Sequence, residues 1–124
     1  APDPVTAAVC RLAAQDEARH VAFGMSHLRS HLAGDAALGG VLMNAVRRRH
    51  EALRQTTGLN GEVFDALVLM AAGSWNPQDI RRGYDAVDAL QREMHVQRTK
   101  RMLKLGFSEA EAEEMSALHT RNFM

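Results

Sequence analysis

The sequence predicts an all-α fold. Of its 124 residues 46% are hydrophobic, yet only 5% are aromatic. Alanine, arginine, leucine and methionine, which have high helix propensity, are abundant, and the β-branched and aromatic enrichment typical of strands is missing. Apolar residues also recur at the helical period. We therefore expect a single helical domain over residues 1–124, a bundle in which one long helix (1–32) precedes three to four shorter helices (36–119).

The first predicted helix is the longest. Asp3 is a suitable N-cap, and Pro4 presets the dihedral angle of a first helical turn. Nothing interrupts the pattern before Leu32 except Gly24. The helix is therefore roughly 28 residues long, or about 42 Å at 1.5 Å per residue. Helices of that length are typical of bundles.

Two further helices follow. We expect a turn at 33–35, a second helix over about 36–55 and a loop at 57–61. A third helix is predicted over about 62–72. Its apolar residues should face inward: Val63, Phe64, Leu67, Val68 and Met70.

The last two helices are predicted from their capping residues. Asn76 has the residue type of an N-cap, and the proline after it opens a fourth helix over about 77–105. Ser108 and Glu111 have the spacing of a capping box, which predicts a short final helix over about 109–119.

Charge and cysteine content restrict the function classes. Lys+Arg and Asp+Glu number 15 each, so no net charge favours nucleic acid or an anionic membrane. The first residues have neither the basic stretch nor the apolar core of a signal peptide, and no apolar run is long enough to cross a bilayer. The lone Cys10 excludes an intrachain disulfide and is expected to be a small buried hydrophobe. These features predict a cytoplasmic protein.

The most informative segment is Asp16-Glu17-Ala18-Arg19-His20. Glu17 and His20 are three residues apart, so a helix projects a carboxylate and an imidazole from one face, where both can reach one metal ion. The nearby Ala13 and Gly24 leave room for an ion or a close partner helix. If these polar groups face a bundle interior, leaving them unpaired costs about 1–3 kcal/mol each, and a metal satisfies both.

This segment resembles the Asp-Glu-x-Arg-His element of ferritin-like di-iron carboxylate proteins, and residues 21–24 extend the likeness. That superfamily includes p-aminobenzoate N-oxygenases, the radical-generating subunit of ribonucleotide reductase and rubrerythrins. The resemblance implies that Glu17 and His20 are metal ligands. It also implies that Asp16 and Arg19 support them. We expect Asp16 to accept the second N–H of a ligand histidine on a neighbouring helix, and Arg19 to pair with a buried carboxylate.

The chain contains only one Glu-x-x-His, whereas the family's four-helix bundle uses two, together with a Glu from each of two other helices. We therefore expect the chain to be the C-terminal part of a longer protein that carries the other ligands. The alternative is that a second copy of the chain supplies them in a homodimer.

Other polar residues are open to two interpretations. His27 and His31 continue the face of Glu17 and His20, either as solvent-reaching side chains or as further ligands or a proton relay. The basic run at residues 47–50 is either a solvated or salt-bridged face, or a site for phosphate or an acidic ligand. His50, His95 and His119 are expected to be structural or exposed.

Two functions follow from these observations. In the first, the chain contributes one ligand pair to a non-haem di-iron oxidase or oxygenase that acts on O₂ and a small-molecule substrate, and the isolated chain has little activity. Manganese or a mixed Mn/Fe centre would use the same ligands. In the second, the chain is a metal-free helical dimerisation or interaction domain.

Overall fold

The computed structural model describes residues 3–54 and 59–121. Every secondary-structure element in that part of the chain is an α-helix, which confirms the predicted all-α class. The helices are α1 (Pro4–Gly34), α2 (Ala37–Arg54), α3 (Leu59–Ala72), α4 (Pro77–Lys104) and α5 (Glu109–Arg121).

The chain divides into two compact units, Ala1–Leu38 and Gly39–Met124. The first consists mainly of α1, which has 31 residues, none of them buried. Its predicted N-cap is confirmed, because Asp3 Oδ1 accepts hydrogen bonds from the backbone amides of Val5 and Thr6, each at 3.0 Å. The lone Cys10 is exposed on this helix. The expectation that it is buried was wrong, because its side chain lies on a surface-exposed face of α1 in the described part of the chain.

The second unit contains the hydrophobic core. Helix α4 packs against both α3 and α5 and is therefore the central helix of this unit. The buried apolar side chains come from α2 to α5 and from the residue that follows α4: Met43, Val68, Val87, Leu105, Ala112 and Met115.

The contact between α3 and α4 depends on Gly83. A Cβ at this position would lie 2.4 Å from the backbone oxygen of Val68 and 2.9 Å from the backbone nitrogen of Ala72. The two backbones therefore approach more closely than any side chain at residue 83 allows. Beside this contact, the rings of Phe64 and Tyr84 pack edge to face, with their centroids 5.5 Å apart.

The ends of α4 and α5 follow the capping chemistry predicted from the sequence. Asn76 Oδ1 accepts from the amide of Gln78 at 3.0 Å. Gly106, with φ of 95°, adopts the left-handed conformation that ends α4. Ser108 and Glu111 then form the capping box, in which the amide of Ser108 donates to the Glu111 carboxylate at 2.9 Å.

Two details of α3 differ from the prediction. The helix already begins at Leu59, so residues 59–61 of the predicted loop are helical, and residues 55–58 lie outside the described part. Val63 and Met70, both predicted to face inward, are 43% and 79% exposed. They are seven residues apart and therefore lie on the same margin of the apolar face of α3, which remains in solvent.

Within residues 3–54 and 59–121, no helix is both long enough and apolar enough to span a membrane.

Candidate functional site

The predicted metal-binding residues lie near the middle of α1. The unbroken helix brings Glu17 and His20 together, with Glu17 Oε2 4.0 Å from Nδ1 of the imidazole. On the other side of the ring, Asp16 Oδ2 lies 3.8 Å from Nε2. The ring is therefore flanked by two carboxylates, each near a different nitrogen.

Arg19 pairs with Asp16 one turn earlier, where its Nη1 lies 3.8 Å from Oδ1. These side chains are largely in solvent: Glu17 is 78% exposed and His20 67%. The carboxylates and cations of this motif consequently interact through water as much as with one another.

Neighbouring residues on α1 are exposed in the same way. Val5, Val9 and Leu12 follow one another at spacings of four and three residues, so they form one apolar stripe, and each is at least 60% exposed. The same spacing leads on through Asp16 to Phe23. An apolar stripe and the predicted ligand residues thus occupy adjoining faces of one helix, and in the described part of the chain both faces are exposed.

Within the described residues, the four motif residues are not part of a complete metal site. Among residues 3–54 and 59–121, no group of three or more His, Cys, Asp or Glu side chains is arranged to hold a metal ion. What α1 presents is a pair of potential donors with an acidic neighbour.

His27 and His31 continue along α1 as exposed side chains. The ring of His27 meets that of His31 edge-on at 4.4 Å between centroids and stacks with Phe23 at 6.1 Å. These contacts agree with the interpretation of both histidines as solvent-reaching side chains.

The basic run on α2 takes part in ion pairing. Arg47 donates from Nε and Nη2 to the two carboxylate oxygens of Glu114 on α5, at 2.7 and 2.8 Å. The Arg47 guanidinium lowers the pKa of Glu114, mainly through these hydrogen bonds. His50 Nδ1 lies 3.1 Å from the backbone oxygen of Leu118, which is also on α5. The salt-bridged interpretation of the run is confirmed at Arg47.

A polar bridge joins α4 to α5. His95 Nε2 lies 2.9 Å from Glu113 Oε1, and its Nδ1 lies 3.0 Å from Ser116 Oγ. Ser116 is 1% exposed, and its hydroxyl also donates to the backbone carbonyl of His95 at 2.8 Å. Because this buried hydroxyl already bonds to α4, the acid–imidazole–hydroxyl arrangement holds two helices together and does not present a free nucleophile. The structural role expected for His95 is confirmed.

A cavity of about 210 Å³ lies next to this bridge. Side chains from α4 and α5 line it: Arg98, Arg101, Met102, Met115, Ser116 and His119. Sequence analysis did not identify this group as a site. The only signal in the sequence was the i, i+3 spacing of Arg98 and Arg101, which is common on solvated helix faces. Met115, Ser116 and His119 come from a separate helix, α5.

Comparison of the chain with protein-family models, with curated proteins and with solved structures gave no match.

Proposed function

We propose that this chain is part of a ferritin-like non-haem di-iron oxidase or oxygenase and contributes Glu17 and His20 as one ligand pair. The observation that carries the proposal is the 4.0 Å separation between the Glu17 carboxylate and the His20 imidazole on one exposed face of a long helix. Two donors that each lie about 2.1 Å from an ion are roughly 3–4 Å apart, so small side-chain rotations bring this pair onto one metal.

The position of Asp16 supports the same proposal. If Glu17 and His20 Nδ1 hold the metal, the remaining ring nitrogen, Nε2, needs an acceptor for its hydrogen. Asp16 lies 3.8 Å from that nitrogen and is the carboxylate placed to accept it. Arg19, 3.8 Å from Asp16, balances the added negative charge. The proposal therefore makes Asp16 the hydrogen-bond acceptor for His20, a histidine of its own helix.

The remaining ligands must come from outside α1. A bundle site of this kind needs carboxylates and a second histidine from other helices. The exposed stripe of Val5, Val9 and Leu12 next to the motif is a surface on which such helices could pack. A further segment of a longer protein or a second copy of this chain would supply both the helices that bury this surface and the missing ligands.

In the assembled site, bound iron supplies the activation of O₂. Glu17 and His20 hold the metal, Asp16 orients His20, and packed apolar side chains exclude water from the reaction. The small-molecule substrate would bind next to this centre.

The proposal is tested by anaerobic Fe²⁺ binding to the protein that carries this sequence, with bound iron measured after dialysis. We expect Glu17→Gln and His20→Ala each to lower iron affinity at least about tenfold, because each removes a direct ligand. Glu51→Gln is the matched control, since Glu51 is an exposed glutamate in an i, i+3 pair with Arg54 on α2. Equal iron binding by wild type and both motif variants would refute the proposal.

A metal-free interaction domain is the second candidate function. The observation that favours it is that Asp16 already has partners on its own helix, Arg19 and His20. In that case the apolar stripe of α1 alone mediates association. Analytical ultracentrifugation with and without Fe²⁺ separates the two functions. Dimers that form without metal and persist in Glu17→Gln favour the interaction domain. Dimers that form only with iron favour the metal site.

A further inference from the structure

Two histidines lie close together near the C-terminal end of α1. His27 and His31 are four residues apart, so the helix projects both imidazoles from one face, one turn apart. Both side chains are exposed, so an ion can reach the two rings from solvent. A neutral imidazole is the commonest metal ligand among protein side chains. The pair is therefore a candidate for holding one ion between its rings.

The distance between the two rings agrees with shared coordination. The centroids of the His27 and His31 rings are 4.4 Å apart, and the ring planes make an angle of 65°. Two imidazoles whose nitrogens lie about 2.1 Å from one ion, at an N–ion–N angle of 90–110°, have ring centres roughly 4.5–5.2 Å apart. The observed distance is close to the lower end of that range, so small side-chain rotations bring both rings onto one ion.

The position of the pair in the helix favours a cation as the ligand. His31 is in the last turn of α1, which ends at Gly34. The carbonyl groups of a last turn carry partial negative charge, so positive charge is stabilised beside them. Phe23 also stacks on His27, with the ring centroids 6.1 Å apart and the planes 15° from parallel. This contact restricts the His27 ring, and a restricted side chain loses less rotamer freedom when it binds.

We propose that His27 and His31 bind one borderline divalent ion such as Zn²⁺, and that this ion links the last two turns of α1. Imidazole suits zinc, copper and nickel, whereas magnesium and calcium prefer oxygen ligands. Two protein donors leave the other coordination positions of the ion to water. The site is separate from that of Glu17 and His20, because His20 and His27 are about 10 Å apart along the helix axis. The zinc proposal therefore does not rest on the iron site.

Zinc titration of the full chain, followed by NMR of the histidine ring nitrogens, tests the proposal because each ring is observed separately. We expect the signals of His27 and His31 to shift together and to saturate at the same free Zn²⁺ concentration. In His31→Gln the concentration that half-saturates His27 should rise at least about tenfold, because a second donor on the same helix adds affinity through its effective concentration. Mg²⁺ at the same concentrations should shift neither ring.

The matched control moves one histidine away from the shared face. His31→Gln combined with Ala33→His keeps the number of histidines and the net charge. The new pair is six residues apart, about 9 Å along the axis and on different faces of the helix, so it cannot share an ion. This variant should bind zinc as weakly as His31→Gln alone. Ser30→Gln, a substitution at an exposed residue of α1, should bind within about twofold of wild type.

An ion that binds only the helical form of this segment also opposes the opening of the helix. At a free Zn²⁺ concentration about ten times the dissociation constant, the backbone amides of residues 31–34 should exchange about tenfold more slowly than without zinc. Four results would each overturn the proposal: shifts of the two rings at different zinc concentrations, equal binding by His31→Gln and wild type, tight binding by the variant with Ala33→His, or amide exchange that zinc leaves unchanged.

Discussion

Substitution of Gly83 by alanine should destabilise the second unit, in which α4 packs against α3 and α5. The new Cβ would lie 2.4 Å from the backbone oxygen of Val68, about 1 Å short of the 3.4 Å at which ordinary van der Waals contact begins. The obstacle is backbone and cannot rotate away, so α3 must shift relative to α4. Such overpacking costs about 1–3 kcal/mol or more, whereas alanine gains about 1 kcal/mol of helix propensity. Because the obstacle is backbone, the cost lies in the upper part of that range, and we expect a net loss of about 1–2 kcal/mol.

Urea denaturation followed by circular dichroism at 222 nm measures this loss, and amide exchange in α3 should rise with it. The control is Gly40→Ala, because Gly40 is also helical and a Cβ there meets nothing within 4 Å. That variant should be more stable than wild type by about 0.5–1 kcal/mol. A Gly83→Ala protein as stable as Gly40→Ala would refute the close backbone approach.

Two other perturbations test contacts of the same unit. Asn76→Ala removes the acceptor for the amide of Gln78 and should lower the free energy of unfolding by about 1 kcal/mol in urea denaturation. The control is Gln78→Ala, a substitution at an exposed neighbouring residue, which should lower the free energy of unfolding by less. The pKa of Glu114 is lowered from its ordinary 4.5 by its hydrogen bond with Arg47. The Arg47–Glu114 ion pair therefore stabilises the folded state fully above about pH 4.5, and this stabilisation is lost as the pH falls through the lower pKa of the folded state. The melting temperature of Glu114→Gln should therefore fall less steeply than that of wild type below about pH 4.5. The control is Glu62→Gln, at an exposed glutamate of α3, and its melting temperature should follow that of wild type. Melting temperatures of wild type and Glu114→Gln that fall in parallel with pH would contradict the ion pair.

The helix boundaries could be predicted because capping chemistry is local. Asn76 bonds to an amide two residues away, and Ser108 and Glu111 satisfy each other within one turn. Such pairs are visible in the sequence without knowledge of the fold. Val63 and Met70 were placed wrongly because periodicity shows which side of a helix is apolar but not how much of that side a neighbouring helix covers.

The features that depend on two helices could not be predicted in the same way. Gly83 is required only because Val68 of α3 crosses α4 at that point. The cavity beside Arg98 exists because Met115 and His119 of α5 pack across from it. By contrast, the spacing of Glu17 and His20 is a property of one helix, and the structure places the two side chains as neighbours.

The absence of burial along α1 has a consequence for how the proposed metal site would be acquired. Helices in proteins owe most of their stability to packing, and no residue of α1 is buried in the described part of the chain. The spacing that lets Glu17 and His20 share an ion exists only while the segment is helical. The segment or second chain that packs on α1 would therefore also hold these two ligands in position. The apparent affinity for iron would then include the free energy of that association, and with a second copy as the cover it would rise with protein concentration.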